Sequence, residues 1–196
     1  RTKILRTCKI KMDKQNLDKY KYLFLDRDGV INVERPSDYV KNIPEFVFTD
    51  KTLQAIRMLS SRFERIFIVT NQRGVGRGKM SVSDLEEVHS YMLSQIEASG
   101  GHIDRIYYCT DLTSDSINRK PNVGMAFKAL ADFPEIEFEK SIMVGNSMSD
   151  IEFGNKLGMY TILVGDKYPE GHKIYENINA HYKNLYKFAD SLLKIF

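Results

Sequence analysis

Two aspartates spaced two residues apart, Asp26 and Asp28, follow directly on the apolar run Tyr22-Leu23-Phe24-Leu25. A short apolar run ended by a glycine, here Gly29, reads as a buried strand that turns at its end. Carboxylates at the carboxyl end of such a strand stand where open α/β sheets bind ligands. Neighbouring negative charges call for a neutralising partner, and a divalent cation is the usual one. Taken alone, an Asp-x-Asp-Gly segment suits a solvated acidic turn better. Three further segments shift that balance. Thr70-Asn71-Gln72 follows Ile66-Phe67-Ile68-Val69, and Arg119-Lys120-Pro121 lies in the loop behind the apolar run that ends near Cys109. Gly145-Asn146-Ser147-Met148-Ser149-Asp150 follows Ile142-Met143-Val144. Hydroxyl, amide, cation and carboxylate recur at successive strand ends, a combination far more specific than any one part. The stretch from Gln72 to Lys79 adds three glycines and three cations, Arg73, Arg77 and Lys79. Glycine lets backbone approach a ligand and cations suit an anion; a flexible surface loop is the plain alternative. No Gly-Lys-Ser/Thr follows at the spacing of a nucleotide-binding loop.

Five short runs rich in β-branched or aromatic residues supply the strands: Tyr22–Leu25, Ile66–Val69, Ile103–Tyr108, Ile142–Val144 and Tyr160–Val164. Helical periodicity fills the gaps. Leu53, Ile56 and Leu59 follow the cap candidates Thr49 and Asp50; Leu85, Val88, Met92 and Ile96 follow Ser81 or Ser83 and stop at Gly100. Met125, Phe127, Leu130 and Ala131 mark a third helix, Asp150 to Leu157 a short fourth ended by Gly158, and Leu185, Phe188, Leu192 and Ile195 a last one. Strands alternating with helices predict an α/β fold: a doubly wound, Rossmann-like, mostly parallel sheet with helices on both faces. Residues 30–48, with Val33, Val40, Phe46, Val47 and Phe48, are expected to form a small β excursion, too short for a cap domain. The site is then roofed by loops. Residues 1–15 are expected to be a disordered or non-native leader, with Met12 a candidate start, and 16–196 a single domain.

The segments FLDRDGVIN (24–32), VTNQRGVGRGKMS (69–81), RKPNVGM (119–125) and MVGNSMSD (143–150) stand in an order that resembles the haloacid dehalogenase-like superfamily. Within it the chain is most similar to the D,D-heptose 1,7-bisphosphate and histidinol-phosphate phosphatase group, over about residues 21–165. The resemblance implies a Mg²⁺-dependent phosphatase of the cytoplasm with an aspartyl-phosphate intermediate. In that reading Asp26 is the nucleophile and Asp28 the general acid and base. Thr70 and the backbone N–H of Asn71 bind phosphoryl oxygens, and Lys120 supplies fixed positive charge. Asp26, the Asp28 carbonyl, Asn146 and Asp150 surround the metal. Gln72, Arg73, Arg77, Lys79 and Arg119 grip the rest of the substrate, where a second phosphate would account for so many cations. A heptose bisphosphate, losing its 7-phosphate, is the leading substrate; histidinol phosphate and a polynucleotide 3′-phosphate are the rivals. A catalytically weak phosphate-binding module is the non-enzyme alternative.

Two departures from the group stand out. Members with a structural zinc carry paired Cys-x-His and Cys-x-Cys motifs after the third strand; here only Cys109 remains, and one thiol cannot build a closed tetrahedral site, so no zinc is expected. Asn146 stands where the fourth motif usually begins with aspartate, which predicts weaker Mg²⁺ affinity. The bulk properties fit a small soluble enzyme. A net charge of +3 does not argue for nucleic acid, Cys8 and Cys109 make no disulfide framework, and no apolar stretch approaches a membrane span. A monomer or weak dimer is expected. His89, His102, His172 and His181 show no metal spacing and read as surface or satisfied histidines. Tyr107, Tyr108, Tyr182 and Tyr186 read as packing residues.

Overall fold

A computed structural model describes residues 18–193. The leader expected over 1–15, and Ile195 of the last helix, lie outside the described residues. Six strands form one sheet: β1 (Tyr22–Leu25), β2 (Arg65–Asn71), β3 (Arg105–Cys109), β4 (Ser141–Gly145), β5 (Tyr160–Val164) and β6 (Ala180–Tyr182). Their order is β3-β2-β1-β4-β5-β6 and every pairing is parallel. The helices are α1 (Thr52–Ser60), α2 (Arg73–Gly76), α3 (Val82–Ala98), α4 (Gly124–Asp132), α5 (Met148–Lys156) and α6 (Leu185–Leu193).

Side chains alternate across a strand, so a sheet covered on both faces divides its apolar residues by parity. Leu23 and Leu25 join Ile66, Ile68, Ile142 and Val144 against α1, α3 and α6. Tyr22 and Phe24 join Phe67, Val69 and Met143 on the other face, against α4 and α5. The chain runs from β1 outward through β2 and β3, then returns to place β4 on the other side of β1. That reversal opens a crevice at the carboxyl ends of β1 and β4, where doubly wound sheets take their ligands.

Several elements differ from expectation. β6 was not foreseen: Ala-His-Tyr is too short to show as an apolar run, and only its pairing with β5 makes it a strand. Residues 30–48 form a short 3₁₀ turn, Ile43–Glu45, and a single antiparallel bridge between Asn32 and Phe48, less than the expected β excursion. In α4 the buried face is Met125, Ala126 and Ala129, while Phe127 is 53% exposed and meets Phe138 edge-on. Met125 and two small alanines, not Phe127, make up the face turned to the sheet. α1 starts after Lys51 in a left-handed conformation, not at Thr49 or Asp50. Ser81 caps α3 through a reciprocal box with Asp84, and Gly100 and Gly158 take positive φ behind α3 and α5.

Candidate active site

The alternation of β1 continues one step beyond the strand, because the Asp26 N–H still donates to Val144 O at 2.9 Å. Asp26 therefore falls on the face of Phe24, where α4 and α5 lie. Lys120 comes from the loop before α4, and Asp150 from the first turn of α5. The Lys120 ammonium, 2% exposed, donates to Asp26 Oδ1 at 2.8 Å, Asp150 Oδ1 at 2.6 Å and Val69 O at 2.6 Å. Its three donors are thereby all used. Asp150 divides its carboxylate. Oδ1 serves Lys120, while Oδ2 accepts from the N–H groups of Asn146 and Ser147 and from the Ser147 hydroxyl, capping α5. Gly145 permits this approach, since a Cβ there would lie 2.1 Å from Asp150 Cβ.

One ammonium thus faces two buried carboxylates. Burial and then the negative charge of Asp150 push the Asp26 carboxyl up to about 7, against the pull of Lys120. Burial would lower Lys120, yet Asp150 and Asp26 outweigh it and the net shift is upward. The Asp26 Oδ2 atom accepts no hydrogen bond from a described residue.

Arg27 points to the opposite face, where α3 presents His89. Both are buried, and Arg27 Nη1 lies 3.1 Å from His89 Nε2. A guanidinium can only donate, so His89 Nε2 accepts and the imidazole is neutral with its proton on Nδ1. Burial and the charge of Arg27 push His89 down to about 3. Arg27 Nη2 grips both oxygens of Asp28 at 2.9 and 3.0 Å. Asn32 Nδ2 and Gln72 Nε2 each donate to the same carboxylate at 2.9 Å. Burial pushes Asp28 up, but Arg27, Asn32 and Gln72 more than offset it, and its carboxyl lies below the usual range.

The expected substrate-gripping residues divide into two groups. Gln72 is buried; its amide nitrogen bridges Asp28 and the Thr70 hydroxyl, which it reaches at 2.8 Å. Asn71 pairs its side chain with the Lys120 backbone, donating to Lys120 O at 3.1 Å and accepting from Lys120 N at 3.0 Å. Arg73, Arg77 and Arg119 gather on the side of β2 and β3. Burial, then the nearby charge of Arg73 and Arg77, lowers Arg119, and the Arg73 Nε is buried without a partner. Lys79 is exposed on the same segment.

The glycines of 74–78 act differently from expectation. A Cβ at Gly74 would meet the Tyr39 ring at 2.8 Å and one at Gly76 would meet Thr110 O at 2.1 Å, so both lie hard against neighbouring segments, Gly74 buried and Gly76 at the surface. Arg73–Gly76 forms the short helix α2, and Gly78 follows it at φ +65° with open space around it. The loop from Cys109 to Asn122 is tied by its own polar groups. Ser116 donates to Asp111, Asn122 Nδ2 reaches Ser114 O and Ser116 O at 2.9 Å each, and Arg119 Nη1 reaches Asp111 O at 3.3 Å.

Among the described residues no three His, Cys, Asp or Glu side chains are grouped to hold a metal. The oxygens of Asp26, Asp150 and Asn146, with no thiolate or imidazole beside them, suit a hard cation that completes its shell with carbonyls and water. The deficit of positive charge at the two carboxylates points the same way. Sequence reasoning gave no role to Arg27 or Asn32, whereas His89, read as a surface or satisfied histidine, is a satisfied one. His89 alone had a signal, a polar residue one turn from Leu85 on the apolar stripe of α3.

The chain is 38% identical over 154 residues to the D-glycero-alpha-D-manno-heptose-1,7-bisphosphate 7-phosphatase of Campylobacter jejuni, covering 78% of this chain and 87% of that protein. It belongs to the haloacid dehalogenase-like hydrolases, among their phosphatases. The HAD-hydrolase-like family model matches residues 117–184 of this family member. A Mycobacterium tuberculosis phosphatase of the same name is 38% identical over 136 residues, 69% of this chain and 72% of the relative. The crystal structure of D,D-heptose 1,7-bisphosphate phosphatase from B. bronchiseptica, complexed with magnesium and phosphate, superimposes with a TM-score of 0.77 at 27% identity, covering 89% of this chain and 98% of that one. No helix among the described residues is long and apolar enough to cross a membrane.

Proposed function

We propose that this phosphatase removes the 7-phosphate of D-glycero-D-manno-heptose 1,7-bisphosphate, with Asp26 as nucleophile. The observation that carries the reading is the Asp26 carboxylate itself. Lys120 holds Oδ1, while Oδ2 accepts from no described residue and is left to attack. Attack of Oδ2 on phosphorus forms the aspartyl-phosphate as the bond to the sugar oxygen breaks. Asp28 delivers a proton to that leaving alkoxide. In the free protein Arg27 keeps Asp28 ionised; the like charge of an arriving phosphate dianion raises its proton affinity, and Asp28 takes up from solvent the proton it delivers. Water then attacks phosphorus, Asp28 takes its proton, and the bond to Asp26 breaks to release inorganic phosphate. Thr70, whose oxygen already accepts from Gln72, has its hydroxyl proton free to donate to a phosphoryl oxygen. Lys120 offsets part of the charge that accumulates.

Mg²⁺ would be held by Asp26, Asp150, Asn146 and the Asp28 carbonyl, and when bound it screens the phosphate from the nucleophile. The cluster of Arg73, Arg77 and Arg119 favours a substrate with a second anionic group. Histidinol phosphate carries an ammonium at its far end, which that cluster repels. The substrate's second phosphate, at C1, answers the positive charge of these three guanidiniums.

Phosphate release in Mg²⁺ from both anomers of the heptose bisphosphate, histidinol phosphate and a 3′-phosphorylated oligonucleotide tests the reading. The bisphosphate should give the highest kcat/KM, and Asp26→Asn should abolish turnover while the fold persists. A higher kcat/KM for either rival refutes the substrate. Turnover retained in Asp26→Asn refutes the nucleophile. Tight binding without turnover of any of them favours the phosphate-binding module.

A further inference from the structure

We propose that Glu34 is a positioning residue for the cation site, acting by orienting the Asn146 carboxamide. The inference rests on the reading that this site takes a divalent cation. Asn146 is only 7% exposed and follows Gly145 at the end of β4. Its Nδ2 donates to Glu34 Oε2 at 3.0 Å, and its Oδ1 accepts from no described residue. An amide has two faces of opposite character, a donor and an acceptor. Only the oxygen can serve a cation, so whatever engages the nitrogen decides whether the oxygen is presented. A carboxylate does so without ambiguity, because it accepts and cannot donate.

Two features support the fixed orientation. Gly29 takes φ +85°, and a Cβ there would lie 1.8 Å from Asn146 Nδ2, so the amide is seated against the turn that follows Asp28. Glu34 is itself restrained by Lys167, whose ammonium lies 2.9 and 3.1 Å from its two oxygens. That contact joins the loop after β1 to the loop after β5, the two segments flanking the site. Tyr168 adds a second tie, its hydroxyl accepting from Met148 N at the start of α5 at 3.0 Å. The Glu34–Lys167 pair is about half exposed on both sides, and such pairs contribute little by themselves. The hydrogen bond to Asn146 is the part that matters, and Lys167 has an accessory role.

Binding of Mn²⁺ alone, followed by the loss of the free-ion electron paramagnetic resonance signal, tests this without turnover. Urea midpoints equal to wild type certify the fold of each variant, as expected for a surface residue. Glu34→Ala should weaken Mn²⁺ binding about tenfold, the low end for loss of an outer-sphere partner. Glu34→Gln keeps an acceptor for Asn146 Nδ2 and should restore most of the affinity. Lys167→Ala should change it less than Glu34→Ala. Wild-type affinity in Glu34→Ala overturns the proposal while leaving the cation site standing. Glu34→Gln as weak as Glu34→Ala overturns the orienting role, since charge alone would then be the cause. A wild-type protein that takes up no Mn²⁺ overturns the cation reading, and the role of Glu34 with it.

Discussion

Lowering the pH should destabilise this fold through His89 by an amount that can be worked out in advance. His89 ionises near 6.5 in an unfolded chain and at about 3 in the fold, where burial and then Arg27 oppose its charge and Asp28 favours it. A histidine with a depressed folded pKa binds fewer protons folded than unfolded, so stability falls as pH drops. The loss begins as pH passes below about 6.5 and is complete only near 3. At about pH 5 the unfolded imidazole gains roughly 1.5 factors of ten from protonation that the folded one forgoes, or about 2 kcal/mol relative to pH 8. A folded value anywhere from about 2 to 4 gives nearly the same figure at pH 5, so the number is robust there. The assay is urea unfolding at both pH values for wild type and His89→Gln, which keeps an acceptor for Arg27 and does not titrate. Wild type should lose about 2 kcal/mol more than the variant between the two pH values. Equal losses, or a His89 ring that titrates near 6.5 by NMR in the folded protein, would refute the reasoning.

Two further outcomes follow from the same packing. Lys120→Met leaves Asp26 and Asp150 buried without their shared ammonium, and should cost about 3 kcal/mol at neutral pH. Because burial and Asp150 raise the Asp26 carboxyl and Lys120 no longer opposes them, Asp26 then holds its proton still more tightly folded than unfolded, and the deficit should shrink as pH falls toward 5; urea midpoints that decline in parallel with wild type would contradict this. Gly76→Ala drives a Cβ to within 2.1 Å of Thr110 O and must shift the loop that carries Arg119, whereas Gly78, at φ +65° with open space around it, should lose only about 1 kcal/mol on the same change. Similar thermal midpoints for the two variants would count against packing as the reason for Gly76.

Much of the fold was legible because its strands are short apolar runs and its helices carry caps and glycine stops that act locally. Ser81 with Asp84, and Gly100 and Gly158, are examples. β6 and the helix α2 were not legible. The first exists through pairing with β5, and the second through the fit of Gly74 and Gly76 against Tyr39 and Thr110. Phe127 misled for a related reason, since hydrophobicity marks what can be buried and not what the sheet leaves room to bury.

The sequence by itself determined the cast of the candidate site. Asp26, Asp28, Thr70, Lys120 and Asp150 are read from contiguous motifs at strand ends, and the sheet must bring those ends to one edge. Only the tertiary structure decided how each group is used. It turned Gln72 inward onto Asp28, tied Asn71 to the Lys120 backbone, placed neutral His89 behind Arg27, and joined Glu34 to Asn146 and Lys167 across more than a hundred residues. The physical reason is that a polar side chain's role depends on its partners and its exposure. Both are set by parity across the sheet and by loop packing, neither of which any local spacing encodes.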